Sequence, residues 1–230
     1  MGNYDQIPGS EVVIEQYLVG PQFCVDGFVM TDGTVHAFEF AKTELGPEPY
    51  FQNIGFTMCR PEDLPESGIL SDYVMAVIKA VGITVGAFHS ELRLTKDGPV
   101  LIEIANRLPS DHMPVMSEKA TGISFAKCAL AAVCELPLPK PGVPKARVAA
   151  SQYVIAPGLM GQAYKRLDGL EAITSSPLVD EFFIDIPAGK IIPPYADARS
   201  RIVEIQYHAD SIAEAQAFRE RIIKEIRVEA

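Results

Sequence analysis

Positive charge is what this 230-residue chain has little of: 20 Lys and Arg against 30 Asp and Glu leave a net charge of −10. A surface of that sign repels a phosphate backbone, so no nucleic-acid partner is expected. No apolar run approaches the roughly 18 residues of a membrane span, and the start has no basic stretch followed by an apolar one. The expectation is a cytoplasmic protein with no membrane partner. Cysteine is scarce too, and Cys24, Cys59, Cys128 and Cys134 show neither C-x-x-C nor zinc-ligand spacing, which predicts reduced, mostly buried thiols. No Ser/His/Asp or Cys/His nucleophile signature, internal repeat or low-complexity tract is present. Nor does a glycine-rich phosphate loop precede the first expected strand. What is there is globular in composition, 48% hydrophobic and 22% charged, and long enough for one or two domains with a real core.

Periodicity divides the chain. Strands are expected at about Val12 to Val19, Phe23 to Thr31 and Val35 to Ala41, the last two joined as a hairpin through Asp32-Gly33. Lys42 to Pro65, rich in Gly, Pro and polar residues, reads as a long irregular binding loop. Leu70, Tyr73, Val74, Val77, Ile78 and Val81 predict a helix from Ile69 to Val81, and another starts near Ser124 and stops before Pro137. The proline-rich run Leu136 to Pro144 cannot be regular structure and marks a domain boundary. Beyond it, strands near Val148 to Ile155, Val179 to Ile186 and Ile202 to His208 precede a helix opened by the capping box Ser211-Ile212-Ala213-Glu214.

The most informative pattern is a hairpin. Phe88-His89-Ser90-Glu91-Leu92-Arg93-Leu94 and Leu101-Ile102-Glu103-Ile104-Ala105-Asn106-Arg107 alternate with period two about Lys96-Asp97-Gly98. A three-residue loop pairs 91 with 103 and places His89, Glu91, Arg93, Glu103 and Arg107 on one polar face, leaving Ile102 on the apolar one. Two carboxylates directly opposite repel unless a cation or a shared proton lies between them, and hard oxygen ligands suit Mg²⁺. Two solvated glutamates on an exposed face are the plainer reading.

Val13 to Gly20, Phe88 to Glu91, Gly98 to Arg107 and Ala120 to Ile123, in that order, resemble the C-terminal half of an ATP-grasp carboxylate-amine ligase, of the branch containing dipeptide-forming L-amino-acid ligases. The resemblance implies an α/β (α+β) fold with a largely antiparallel sheet: the C-terminal half of an ATP-grasp domain over 1–136, a proline-rich linker over 137–145 and a small α+β domain over 146–230. It implies ATP and Mg²⁺ as cofactors, small-molecule carboxylate and amine substrates, and an acyl-phosphate intermediate. By resemblance Glu15, Gln16 and Leu18 grip adenine, Glu91 and Glu103 hold the metal, and Arg107 sits by the transferring phosphate. The departures are Ala105, where the family often has an asparagine metal ligand, and Pro109-Ser110, where it often has a glycine pair. The chain reads as a fragment, inactive alone, whose missing N-terminal domains are its partner and whose uncovered apolar surface would drive a homodimer. The alternatives are a carboxylase-type ATP-grasp enzyme and a non-catalytic nucleotide-binding or assembly module.

Other residues have two readings each. Lys42 is a contact to the cofactor's phosphate or to the substrate carboxylate, or an exposed lysine. Asn53 is a substrate contact or a turn former. His89 is a ligand or a flank of the site, since magnesium prefers oxygen. Arg107 is a phosphate fork or the ion-pair partner of Glu103. Asp111 and His112 invite acid/base chemistry or cap the next helix.

Overall fold

The computed structural model describes residues 13–48 and 51–230. Its elements are β1 (Gln22–Val29), β2 (Val35–Leu45), β3 (Asn53–Cys59), α1 (Ser67–Val81), β4 (Gly86–Thr95), β5 (Gly98–Ala105), α2 (Met113–Thr121), α3 (Phe125–Val133), β6 (Val148–Val154), β7 (Arg166–Asp168), α4 (Leu170–Thr174), β8 (Val179–Ile184), β9 (Val203–Ala209), α5 (Ile212–Glu225) and β10 (Arg227–Glu229). Eight strands form one antiparallel sheet in the order β5-β4-β1-β2-β3-β6-β9-β8, and β7 pairs with β10 separately.

Alternation along each strand sends side chains to two cores. Phe23, Val25 and Val29 of β1 join Phe40, Phe88, Leu92, Ile205 and Tyr207 beneath α1, α4 and α5. The intervening Cys24 and Phe28 face the other way, toward α2 and α3. Helix α1 lies where the spacing of its apolar residues put it: Leu70, Val74 and Ile78 are buried, each worth about 1.5 to 3 kcal/mol. It stops at Gly82, whose φ of 78° is left-handed. The capping box of α5 forms with a shift: Ser211 accepts from the Glu214 amide at 3.2 Å, while Glu214 accepts from the Asp210 amide at 2.8 Å, one residue before the cap.

Three expectations are corrected here. Val12 lies outside the described residues, and 13–19 form no strand: among the described residues no strand takes their backbone groups, and Val13, Ile14 and Val19 are exposed. The region Lys42 to Pro65 is not one irregular loop, because β2 runs on to Leu45 and β3 lies within it. Its glycine misled the reading: Gly55, at φ 153°, lets β3 approach β6 so closely that a Cβ would stand 2.2 Å from the Ser151 carbonyl oxygen. The β3 to β6 pairing also means that chain before and after the proline-rich segment contributes to a single sheet.

The third correction concerns the hairpin. The turn has two residues, not three, with Thr95 opposite Gly98 and Leu92 opposite Leu101. A bulge at Ile102 then shifts the ladder by one, so that Glu91 faces Glu103 after all. The extra residue turns Ile102 outward, whereas alternation alone had placed it in the core.

Candidate functional site

The α2 and α3 face of the sheet carries an unusual amount of charge at its β1, β2 and β4 strands. Register places Gln22, Cys24 and Asp26 of β1 beside Arg93, Glu91 and His89 of β4, and Asp26 beside Glu39 of β2. Asp26, Glu39 and His89 are buried; Glu91 is about one-third exposed; and Glu103, on the edge strand, is exposed. The groups are wired together. The His89 Nδ1–H donates to Asp26 Oδ1 at 2.7 Å, and the Ser90 amide donates to the same oxygen at 3.0 Å. His89 Nε2 lies 3.6 Å from Glu91 Oε1, and Gln22 Nε2 donates to Glu91 Oε2 at 3.0 Å.

Burial disfavours a charged His89, but the hydrogen bond and charge of Asp26, with Glu91 beyond, outweigh it and push its pKa up to about 10. Glu39 is shifted well above the usual carboxylate range, first by burial and then by the charge of Asp26. Neither Glu39 oxygen has a hydrogen-bond partner, and Asp26 Oδ2 and Ser117 Oγ lack one too. Burial raises Asp26 as well, opposed by the hydrogen bond and charge of His89.

Two donor sets for a metal overlap here. Cys24 Sγ, a His89 nitrogen and a Glu91 oxygen lie within 4.8 Å of one another. Cys24 and His89 are buried, however, and His89 Nδ1 is taken by Asp26, so of this set Glu91 alone reaches a solvent-facing edge. The remaining set is Glu91 with Glu103 opposite it, two ionisable carboxylates at a solvent-facing edge, and this fits a hard ion such as Mg²⁺ that keeps other positions for water and phosphate oxygens.

Beside these carboxylates, on the same strands, is a cavity of about 470 Å³ lined by Glu15, Gln16, Tyr17, Leu18, Arg93, Val100, Leu101 and Ile102. The residues expected to grip adenine therefore meet β4 and β5 without being a strand themselves. Their segment is held by Arg93, which donates to the Gly20 carbonyl at 2.8 Å and lies 5.7 Å from the Tyr17 ring centroid. A mostly apolar cavity of about 380 Å³ between α5 and β6 contains none of the carboxylates.

Not every expected residue joins the site. Lys42 pairs with Phe23, next to Cys24, so it projects from the opposite face; there it lines a cavity of about 240 Å³ with Phe23 and Cys59. Asn53 starts β3, three strands from β4, and its side chain accepts from the Gly55 amide at 2.9 Å. Arg107 lies past the end of β5, because Asn106 turns the chain by donating to Ala87 O at 2.7 Å. It is exposed and donates to the Leu108 carbonyl at 2.9 Å; it forms no ion pair with Glu103.

Beyond Arg107, Asp111 and His112 adopt left-handed φ values of 55° and 57°. His112 occupies the cap position of α2 but makes no side-chain cap bond. Instead it stacks on Phe183 at 4.9 Å and lies 3.1 Å from Glu204, while Asp111 accepts from Arg201 at 2.9 Å. Sequence reading missed Asp26, Glu39, Arg201 and Glu204. A signal existed for the first two, each a lone acid inside an apolar strand run, Phe23 to Val29 and Ala37 to Ala41.

The chain is 33% identical over 122 residues to dapdiamide A synthase of Enterobacter agglomerans, an overlap of 51% of this chain and 27% of that protein. It is 26% identical over 220 residues to an uncharacterised protein of Sinorhizobium fredii, covering 94% of this chain and 44% of the other. Among solved structures, L-amino acid ligase from Bacillus licheniformis superposes with a TM-score of 0.77 at 24% identity, over 93% of this chain and 52% of that one, and so shares the fold. The chain thus spans about half or less of the length of the relatives it matches. Residues 1–113, just under half of the chain, match the model of the ATP-grasp domain, and the antiparallel sheet is in keeping with that match.

Proposed function

We propose that the protein is an ATP- and Mg²⁺-dependent ligase that joins a small carboxylate to an amine through an acyl phosphate. The observation that carries this reading is the Glu91 and Glu103 pair set beside the cavity lined by Glu15, Gln16 and Leu18. Glu91 and Glu103 hold Mg²⁺, which supplies charge neutralisation and a template for phosphate oxygens. The Glu15 to Leu18 segment, Arg93 and Ile102 take the adenine end of ATP, in a cavity of the size such ligands use. Arg107, unpaired and exposed, stabilises charge on the phosphoryl group in transfer to the carboxylate. No covalent nucleophile is required, since the amine itself attacks the acyl phosphate and releases phosphate.

Lys42 and Asn53 have no part in this scheme. Exposed Val13, Ile14 and Val19 favour self-association. Free cysteines, three of them buried, suit a cytoplasmic setting, and no helix among the described residues is long and apolar enough to cross a membrane.

Hydroxylamine trapping tests the reaction in protein of the relatives' full length. ATP with a carboxylate should give hydroxamate and ADP, and the yield should collapse in Glu103→Ala. ADP release dependent on bicarbonate, with no hydroxamate, would indicate the carboxylase-type reaction instead.

A further inference from the structure

We propose that β1 orients the Glu91 carboxylate through Gln22 and the Asp26–His89 couple, making these three residues positioning groups for the metal ligand. The inference rests on the metal reading of Glu91 and Glu103.

A glutamate has three rotatable side-chain bonds, and Glu103, exposed on the edge strand, has no side-chain bond among the described residues to hold it still. Glu91 differs because both its oxygens face a fixed group. Gln22 Nε2 donates to Oε2 at 3.0 Å, and His89 Nε2 faces Oε1 at 3.6 Å. The imidazole is itself fixed from below. Asp26, with no exposed surface, accepts from His89 Nδ1 at 2.7 Å, which fixes the ring's rotation and leaves Nε2 on the side of Glu91. The same Asp26 oxygen takes the Ser90 amide at 3.0 Å, and Ser90 Oγ donates to the Val25 carbonyl, so the β4 backbone between His89 and Glu91 is tied to β1 as well.

Gln22 and Asp26 lie four residues apart on one strand and on one face, flanking Cys24, which pairs directly with Glu91. The arrangement therefore approaches the carboxylate from both sides along β1. It explains why a strand that is otherwise apolar from Phe23 to Val29 keeps a buried acid despite its desolvation. Supporting groups of this kind typically change metal affinity by about 10- to 100-fold when removed.

The test is a Mn²⁺ titration of this chain followed by the electron paramagnetic resonance of the free ion, with thermal unfolding measured on every variant. Glu91→Gln and Glu103→Gln should each abolish binding. Gln22→Met, which keeps length and loses the donor, and His89→Leu should weaken Mn²⁺ by about 10- to 100-fold. His89→Gln, which restores an N–H near the Nε2 position, should recover part of that loss. The melting point of Gln22→Met should stay near the parent's, since Gln22 is only half-buried. Mn²⁺ affinity lost in Glu91→Gln but kept within about twofold in both Gln22→Met and His89→Leu would overturn the positioning role and leave the metal site standing. Indifference of Mn²⁺ to Glu91→Gln and Glu103→Gln, or no Mn²⁺ bound by the parent chain, would overturn the metal reading and this inference together.

Discussion

At the scale of single residues, exposure separates chemistry from stability. Arg107 is exposed and, among the described residues, bonded only to the carbonyl of its own neighbour, so its removal should leave the fold intact. Arg107→Ala should change unfolding free energy by no more than about 0.5 kcal/mol. In protein of the relatives' full length it should lower turnover by the equivalent of about 2.7 to 4 kcal/mol, as loss of other oxyanion stabilisers does. A normal turnover number with a depressed melting point would reverse that assignment. Glu39 is the opposite case, fully buried and touching no solvent. Its folded-state pKa is raised, first by burial and then by Asp26, so the folded protein binds this proton more tightly than the unfolded chain does. Stability is therefore greatest below the unfolded value near 4.5 and falls as pH rises toward the folded one. Glu39→Gln keeps the shape and cannot ionise, so its stability relative to the parent should rise between about pH 4.5 and neutrality. Urea midpoints measured across that range provide the check, and parallel curves for the two proteins would show that Glu39 does not titrate there.

At the scale of elements, the join between β3 and β6 matters most, because through it the later strands enter the same sheet as Glu91. Arg219 of α5 closes that join from the α1 and α5 side. It donates to Gln152 Oε1 at 3.0 Å, to Phe56 O at 3.1 Å and to Ser151 O at 3.3 Å, and lies 2.8 Å from Glu44 of β2. Four strands and helices thus depend on one buried guanidinium. Arg219→Ala leaves Glu44 unpaired and two strand carbonyls without their extra donor, and should cost about 3 to 5 kcal/mol in chemical denaturation. A loss below about 1 kcal/mol would show that the β3 to β6 ladder alone holds the join.

At the scale of the whole molecule, the cavity beside Glu91 and Glu103 is a surface with one side. Its walls come from the Glu15 to Leu18 segment and from β4 and β5, and nothing among the described residues closes over the place a triphosphate would occupy. Calorimetry of this chain with ATP and Mg²⁺ should give a dissociation constant weaker than about 0.1 mM, less than roughly 5.5 kcal/mol of binding. Micromolar binding with steady ADP production would show that the chain is catalytically self-sufficient.

Much of the architecture is legible in local pattern: α1 from its 3.6-residue apolar spacing, α5 from its capping box, and β1, β4, β6, β8 and β9 from alternating or continuous apolar runs. So is the pairing of Glu91 with Glu103, because a carboxylate forced onto the core face would be too costly to tolerate. The route to that pairing was not legible. A two-residue turn plus a bulge gives the same register as a three-residue turn, and only packing of Leu101 against the core, leaving Ile102 outside, selects between them. Nor could sequence place Lys42 on the far face, or bring Asp26 and Gln22 to Glu91, or set Arg201 and Glu204 by Asp111 and His112. Those contacts join residues 63 to 92 positions apart in the chain. Periodicity reports which face a side chain takes within its own strand; which strand lies alongside is decided by burial of the whole sheet.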